Sequence, residues 1–69
     1  MERISVRSSN IKSIGYDEYI KTLEIEFNSG DIYQYFNVPL IKYRSLMSAS
    51  SDGSYFYHNI RNKYKWSKI

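Results

Sequence analysis

The stretch "TLEIEFNSGDIYQYF", residues 22–36, constrains this chain more than any other. Leu23, Ile25 and Phe27 alternate with Thr22, Glu24 and Glu26, the period-two pattern of a strand with one buried face and one wet face. The loop that follows decides where the next strand points, because a slip of one residue turns every side chain over. A two-residue loop would force Ser29 to positive φ, whereas a three-residue loop of Asn28, Ser29 and Gly30 gives that conformation to glycine. Three residues are expected. Ile25 then faces Tyr33 and Leu23 faces Tyr35, so both tyrosines share the apolar face and are mainly core, with hydroxyls reaching a rim. Ile32 and Phe36 fall on the opposite face beside Glu24 and Glu26, as apolar surface for the N-terminal segment, a helix or a second copy of the chain to cover.

Residues 1–8, "MERISVRS", read as a frayed tail or an edge strand, and residues 9–69 as one domain. "NIKSIGYD" reads as a strand with a phase slip between Ile11 and Ile14, hence an irregularity near Ser13. Pro39 suits the first turn of a helix whose stripe is Leu40, Tyr43, Leu46 and Met47. Ser51 or Asp52 then caps a second helix through "YFYHNIRN", in which Phe56 and Ile60 bury together. The expected fold class is α+β: a small antiparallel three-stranded sheet in the order β-β-β-α-α, with both helices on one face.

A chain of 69 residues without cysteine has no disulfides and no thiolate metal site, so stability rests on tight packing or self-association, and a homo-oligomer is expected on that ground. The apolar runs are too short for a membrane span or a signal peptide, which points to the cytoplasm. Charge is uneven: residues 1–40 hold four Lys/Arg against six Asp/Glu, whereas residues 41–69 hold six against one. Arg61, Lys63 and Lys65, with Lys68 beyond them, interleave with Tyr64 and Trp66, a composition suited to phosphate contacts and base stacking. Ser51, Gly53 and Ser54 open a helix and present N–H groups that a phosphate would accept. His58 is the lone histidine and reads as a helix-surface residue, no serine has a base beside it, and no metal or cofactor is implied. Glu24 and Glu26 share a strand face and read as solubilising charge.

"SSNI.SIGYD", "TLEIEFNSGDIYQYFNVP" and "SSDGSYF…IRNKYKW" resemble, in order and spacing, the KTSC domain, which occurs at the C-terminus of some lysyl-tRNA synthetases and as stand-alone bacterial and phage proteins. The resemblance covers residues 8–69. It places Tyr33-Gln34-Tyr35 on the family's central tyrosine pair, Val38-Pro39 on its helix start, and Ser51, Gly53, Tyr55, Phe56, Ile60, Arg61 and Tyr64 on its second-helix pattern. Its synthetase context implies RNA binding.

The leading expectation is therefore a non-enzymatic module that binds RNA weakly through its basic C-terminal half. The alternative is a small oligomeric interaction protein of the phage kind, which binds a host protein or sequesters a phosphate-bearing, nucleotide-type ligand.

Overall fold

The computed structural model describes Met1–Ile69, and its chain runs β1 (Arg3–Ser5), β2 (Ile11–Asp17), β3 (Thr22–Phe27), β4 (Ile32–Tyr35), α1 (Leu40–Ser48), α2 (Asp52–Asn59) and β5 (Trp66–Lys68). All five strands form one antiparallel sheet in sequence order. The sheet thus has five strands rather than three. The two additions are its edges, each three residues long and built mostly of exposed residues. Strand β1 falls within the segment read as a frayed tail or an edge strand, whereas β5, three exposed residues long, shows no alternation and is created by pairing to β4.

The β3–β4 loop has the expected length. The Gly30 amide donates to the Phe27 carbonyl at 2.9 Å, the Phe27 amide donates to the Asp31 carbonyl at 2.9 Å, and Gly30 has φ +95°. Ile25 pairs with Tyr33 and Leu23 with Tyr35, which puts both tyrosines on the apolar face. On β2 the register shifts between Ile11, opposite Phe27, and Ser13, opposite Glu26. Lys12 is the extra residue of a bulge, and the bulge lets Ile11 and Ile14 both face the core although they are three apart.

That core is Ile11, Ile14, Leu23, Ile25, Tyr35, Val38, Leu46, Phe56 and Ile60. It lies between the sheet and the two helices. Pro39 stands at the N-cap of α1, and its carbonyl accepts from the Lys42 amide at 2.9 Å. Leu46 is fully buried with Tyr43 and Met47 packed beside it, while the Tyr43 ring stacks on Tyr16 at 4.7 Å. The Tyr16 hydroxyl donates to the Val38 carbonyl at 2.6 Å, tying β2 to the entry of the helix. Ser51 caps α2, its hydroxyl accepting from the Ser54 amide at 3.2 Å.

The opposite sheet face is polar but not solvated. Glu24 is only 5% exposed: Arg3 Nη1 and Gln34 Nε2 donate to its two carboxylate oxygens, the latter at 2.9 Å. Arg3 Nε also donates to the Ser13 hydroxyl at 3.0 Å, and that hydroxyl donates to Glu26 at 2.8 Å. Burial works to raise the Glu24 carboxyl, yet the hydrogen bonds from Gln34 and Arg3 and the charge of Arg3 outweigh it and hold the group below its ordinary range. The two glutamates are therefore anchors for β1 rather than the solubilising charge expected of them. Ile32 and Phe36 are half-buried, and the Ile69 amide donates to the Ile32 carbonyl. No helix is long and apolar enough to cross a membrane.

Candidate nucleotide cleft

The loop that turns Tyr33 and Tyr35 inward does not bury them equally. Tyr35 is 4% exposed and belongs to the core, whereas Tyr33, nearer the turn, is half-buried. Both open onto a cleft of about 510 Å³ between the apolar sheet face and α2. Phe27, Tyr33, Tyr35, Phe56 and Tyr57 form its aromatic walls; Ser9, Asn10, Asn28, Ser29 and Asp31 form one polar rim, and Arg61 stands as the one cation of the lining.

The rings hold one another in place. Phe27 meets Tyr33 edge-on at 5.7 Å, Tyr35 meets Phe56 edge-on at 5.3 Å, and Phe27 meets Phe56 at 5.5 Å, geometries that aromatic pairs favour. Trp66, delivered by β5 opposite Tyr35, approaches the Tyr33 ring at 5.4 Å and remains 55% exposed. Strand β5 thereby extends the aromatic surface beyond the cleft mouth.

The polar rim is braced by hydrogen bonds within itself. Asn28 Nδ2 donates to the Ser9 carbonyl at 3.1 Å, and the Asn28 amide donates to the Asn10 carbonyl at 2.8 Å, so the β1–β2 connection and the β3–β4 loop are tied together. Asp31 lies 3.3 Å from Lys68 Nζ, which compensates its charge. Arg61 takes part in none of the three ion pairs and instead lies over the Tyr57 ring, 5.2 Å from its centroid. A guanidinium that lies over an aromatic ring, with no carboxylate partner, keeps its fork of donors available for an anion. Burial first, and the neighbouring Tyr33 phenol second, push the Tyr35 hydroxyl up to about 12 against a lowering by Arg61, so it stays protonated and able to donate.

The candidate residues read from sequence divide accordingly. Arg61 and Trp66 come to the cleft and its mouth. Lys63 and Lys65 are exposed on the segment between α2 and β5, outside the lining. Tyr64 packs against the core and so is not the exposed stacking ring that its place in the sequence suggested. Ser51, Gly53 and Ser54 form no open anion cradle. The Ser51 hydroxyl already accepts from Ser54, Asp52 adds a carboxylate to the same turn, and a Cβ on Gly53 would run into Asn10 Oδ1. Gly53 is thus a close-approach glycine that lets α2 sit against the Ser8–Asn10 turn. Ser51 and Ser54 border a separate depression of about 260 Å³ with His58 and Asn59.

Phe27, Tyr57, Asn10 and Asn28 were missed as site residues. Phe27 carried only its strand signal, and Tyr57 reads as one more ring beside Phe56. The one local clue was Tyr57 four residues before Arg61, the spacing at which helical neighbours meet.

The KTSC domain family model matches residues 7–64 of the chain. A lysine–tRNA ligase of Trichormus variabilis is 41% identical over 61 residues, covering 88% of this chain and 11% of the ligase, so the chain corresponds to a small part of that relative. An uncharacterized protein of Stutzerimonas stutzeri is 41% identical over 56 residues, covering 81% of this chain and 79% of that protein. The crystal structure of a KTSC domain protein from Yersinia pestis superposes with a TM-score of 0.96 at 43% identity, covering 99% of this chain and 96% of that one.

Proposed function

The chain belongs to the KTSC domain family, and from that premise we propose that this small module acts by binding single-stranded RNA, without catalysis of its own. The observation that carries this reading is the pairing of Trp66 with Tyr33 at the mouth of the cleft, beside an arginine that no acid neutralises. Exposed aromatic rings next to unpaired cations are the surface that unpaired bases and their phosphates use, and each stacked base contributes about 1–3 kcal/mol. Lys63 and Lys65 lie exposed along the approach from α2 to β5 and supply attraction without sequence preference. Relatives that are lysine–tRNA ligases act on an RNA, which supports RNA as the partner class.

Filter binding of labelled single-stranded RNA across a salt series tests the reading. Affinity is expected to fall steeply as salt rises, and Trp66→Ala is expected to weaken binding by about tenfold, the loss of one stacked base. Absence of binding at low salt, or binding indifferent to both salt and Trp66, overturns it.

A further inference from the structure

Resting on that RNA-binding reading, we propose that the cleft is a one-nucleotide site: it takes a single flat base with its own phosphate, the base against Tyr33 within reach of the Tyr35 hydroxyl and the phosphate on Arg61. Three features define the ligand's chemistry. Size comes first, since about 510 Å³ falls within the range of pockets that enclose a small molecule and is too little for a run of nucleotides. The walls come second: five aromatic side chains line the space, so the enclosed part of the ligand is flat and apolar on its faces.

The third feature is the balance of donors. Neither the Tyr33 nor the Tyr35 hydroxyl has a hydrogen-bond partner within the protein, no buried side-chain oxygen or nitrogen is left unpartnered, and both hydroxyls therefore reach the open space of the cleft. Arg61 adds its free fork. The rim's carboxylate, Asp31, is engaged by Lys68. The cleft thus presents phenolic and guanidinium donors to an incoming group, an arrangement that favours an acceptor-rich anion over a cation. One unpaired cation matches one phosphate. A base linked to one phosphate satisfies the walls and the fork together, and neither a bare anion nor an uncharged ring satisfies both.

A free mononucleotide and an unpaired residue within an RNA chain share this chemistry, and competition separates them. Anisotropy of a labelled single-stranded oligoribonucleotide is followed as unlabelled adenosine 5′-monophosphate, adenosine or inorganic phosphate is added, and direct binding of the monophosphate is measured by calorimetry. The monophosphate is expected to compete at least tenfold better than adenosine or phosphate. Arg61→Gln, an exposed position whose loss leaves the core intact, is expected to weaken monophosphate binding by about ten- to hundredfold, the contribution of hydrogen bonds to a charged group, and to weaken adenosine binding far less. Tyr33→Phe keeps the ring packing and is expected to cause a smaller loss through the missing hydroxyl. The monophosphate carries no condensed counterion atmosphere, so its salt dependence is expected to be much shallower than that of the RNA. If RNA binds but the monophosphate neither binds nor competes, and Arg61→Gln changes nothing, the cleft proposal falls while the RNA reading stands. If the monophosphate binds in an Arg61-dependent manner and RNA does not, the site stands as a free-nucleotide site and the RNA reading falls. Binding of neither removes both.

Discussion

Gly30→Ala isolates the device that sets the direction of the tyrosines. Gly30 has φ +95° and no atom lies within 4 Å of where a Cβ would stand, so the substitution neither clashes nor loses packing. Its whole effect is conformational. An L-residue held in left-handed backbone costs about 1–2 kcal/mol. Alanine also stiffens the unfolded chain, which returns about 0.4–1 kcal/mol. A net destabilisation of about 1 kcal/mol remains. With about 2.1 cal/mol/K of unfolding entropy per residue, a chain of 69 residues unfolds with about 145 cal/mol/K, so 1 kcal/mol lowers Tm by about 7 °C. Thermal unfolding followed by far-ultraviolet circular dichroism reads that shift directly, with Gly30→Asn as the control, because asparagine tolerates positive φ better than alanine. Asparagine is expected to lose less than alanine. An alanine variant as stable as the parent, or an asparagine variant that loses as much as alanine, would refute the view that this loop is held by one residue's backbone conformation.

Acid stability depends on Glu24. A carboxyl held below its ordinary value of 4.5 contributes stability that is fully present above that value and is lost as the pH falls through the lower native value. Urea midpoints are therefore expected to drop below pH 4.5, with a shallower drop in Glu24→Gln; an unchanged acid limb in the variant refutes the assignment. In the core, Leu46→Ala removes a fully buried side chain from the contact between α1 and the sheet, and is expected to lower unfolding free energy by about 2–5 kcal/mol in urea titration, with a loss below 1 kcal/mol counting against the packing described.

Much of the architecture was legible because its determinants are local. Glycine at the third loop position dictates the loop length, and loop length dictates the cross-strand partners of Tyr33 and Tyr35. The phase slip between Ile11 and Ile14 pointed to an irregularity near Ser13, which the structure shows as a bulge at Lys12, since two core residues three apart on a strand need one extra residue between them. The burial of Phe56 and Ile60 follows from their four-residue spacing, and of the two capping candidates, Ser51 and Asp52, the structure uses Ser51.

The edges and the site depended on parts of the chain far apart in sequence. Ile4 meets Ile14, and Trp66 meets Tyr35, only when the sheet assembles; the alternation around Ile4 allowed an edge strand without naming its partner, and β5 carries no periodicity of its own. Glu24 had the pattern of a wet-face residue until Arg3, twenty-one positions earlier, closed over it. The cleft gathers residues from the β1–β2 connection, the β3–β4 loop, β4, α2 and the turn beyond, so its volume and its unpaired arginine exist only in three dimensions. Alternation and turn chemistry act between near neighbours and so specify which way a strand faces. Which distant strand lies beside it, and what hollow the two enclose, is settled by the packing of the whole chain.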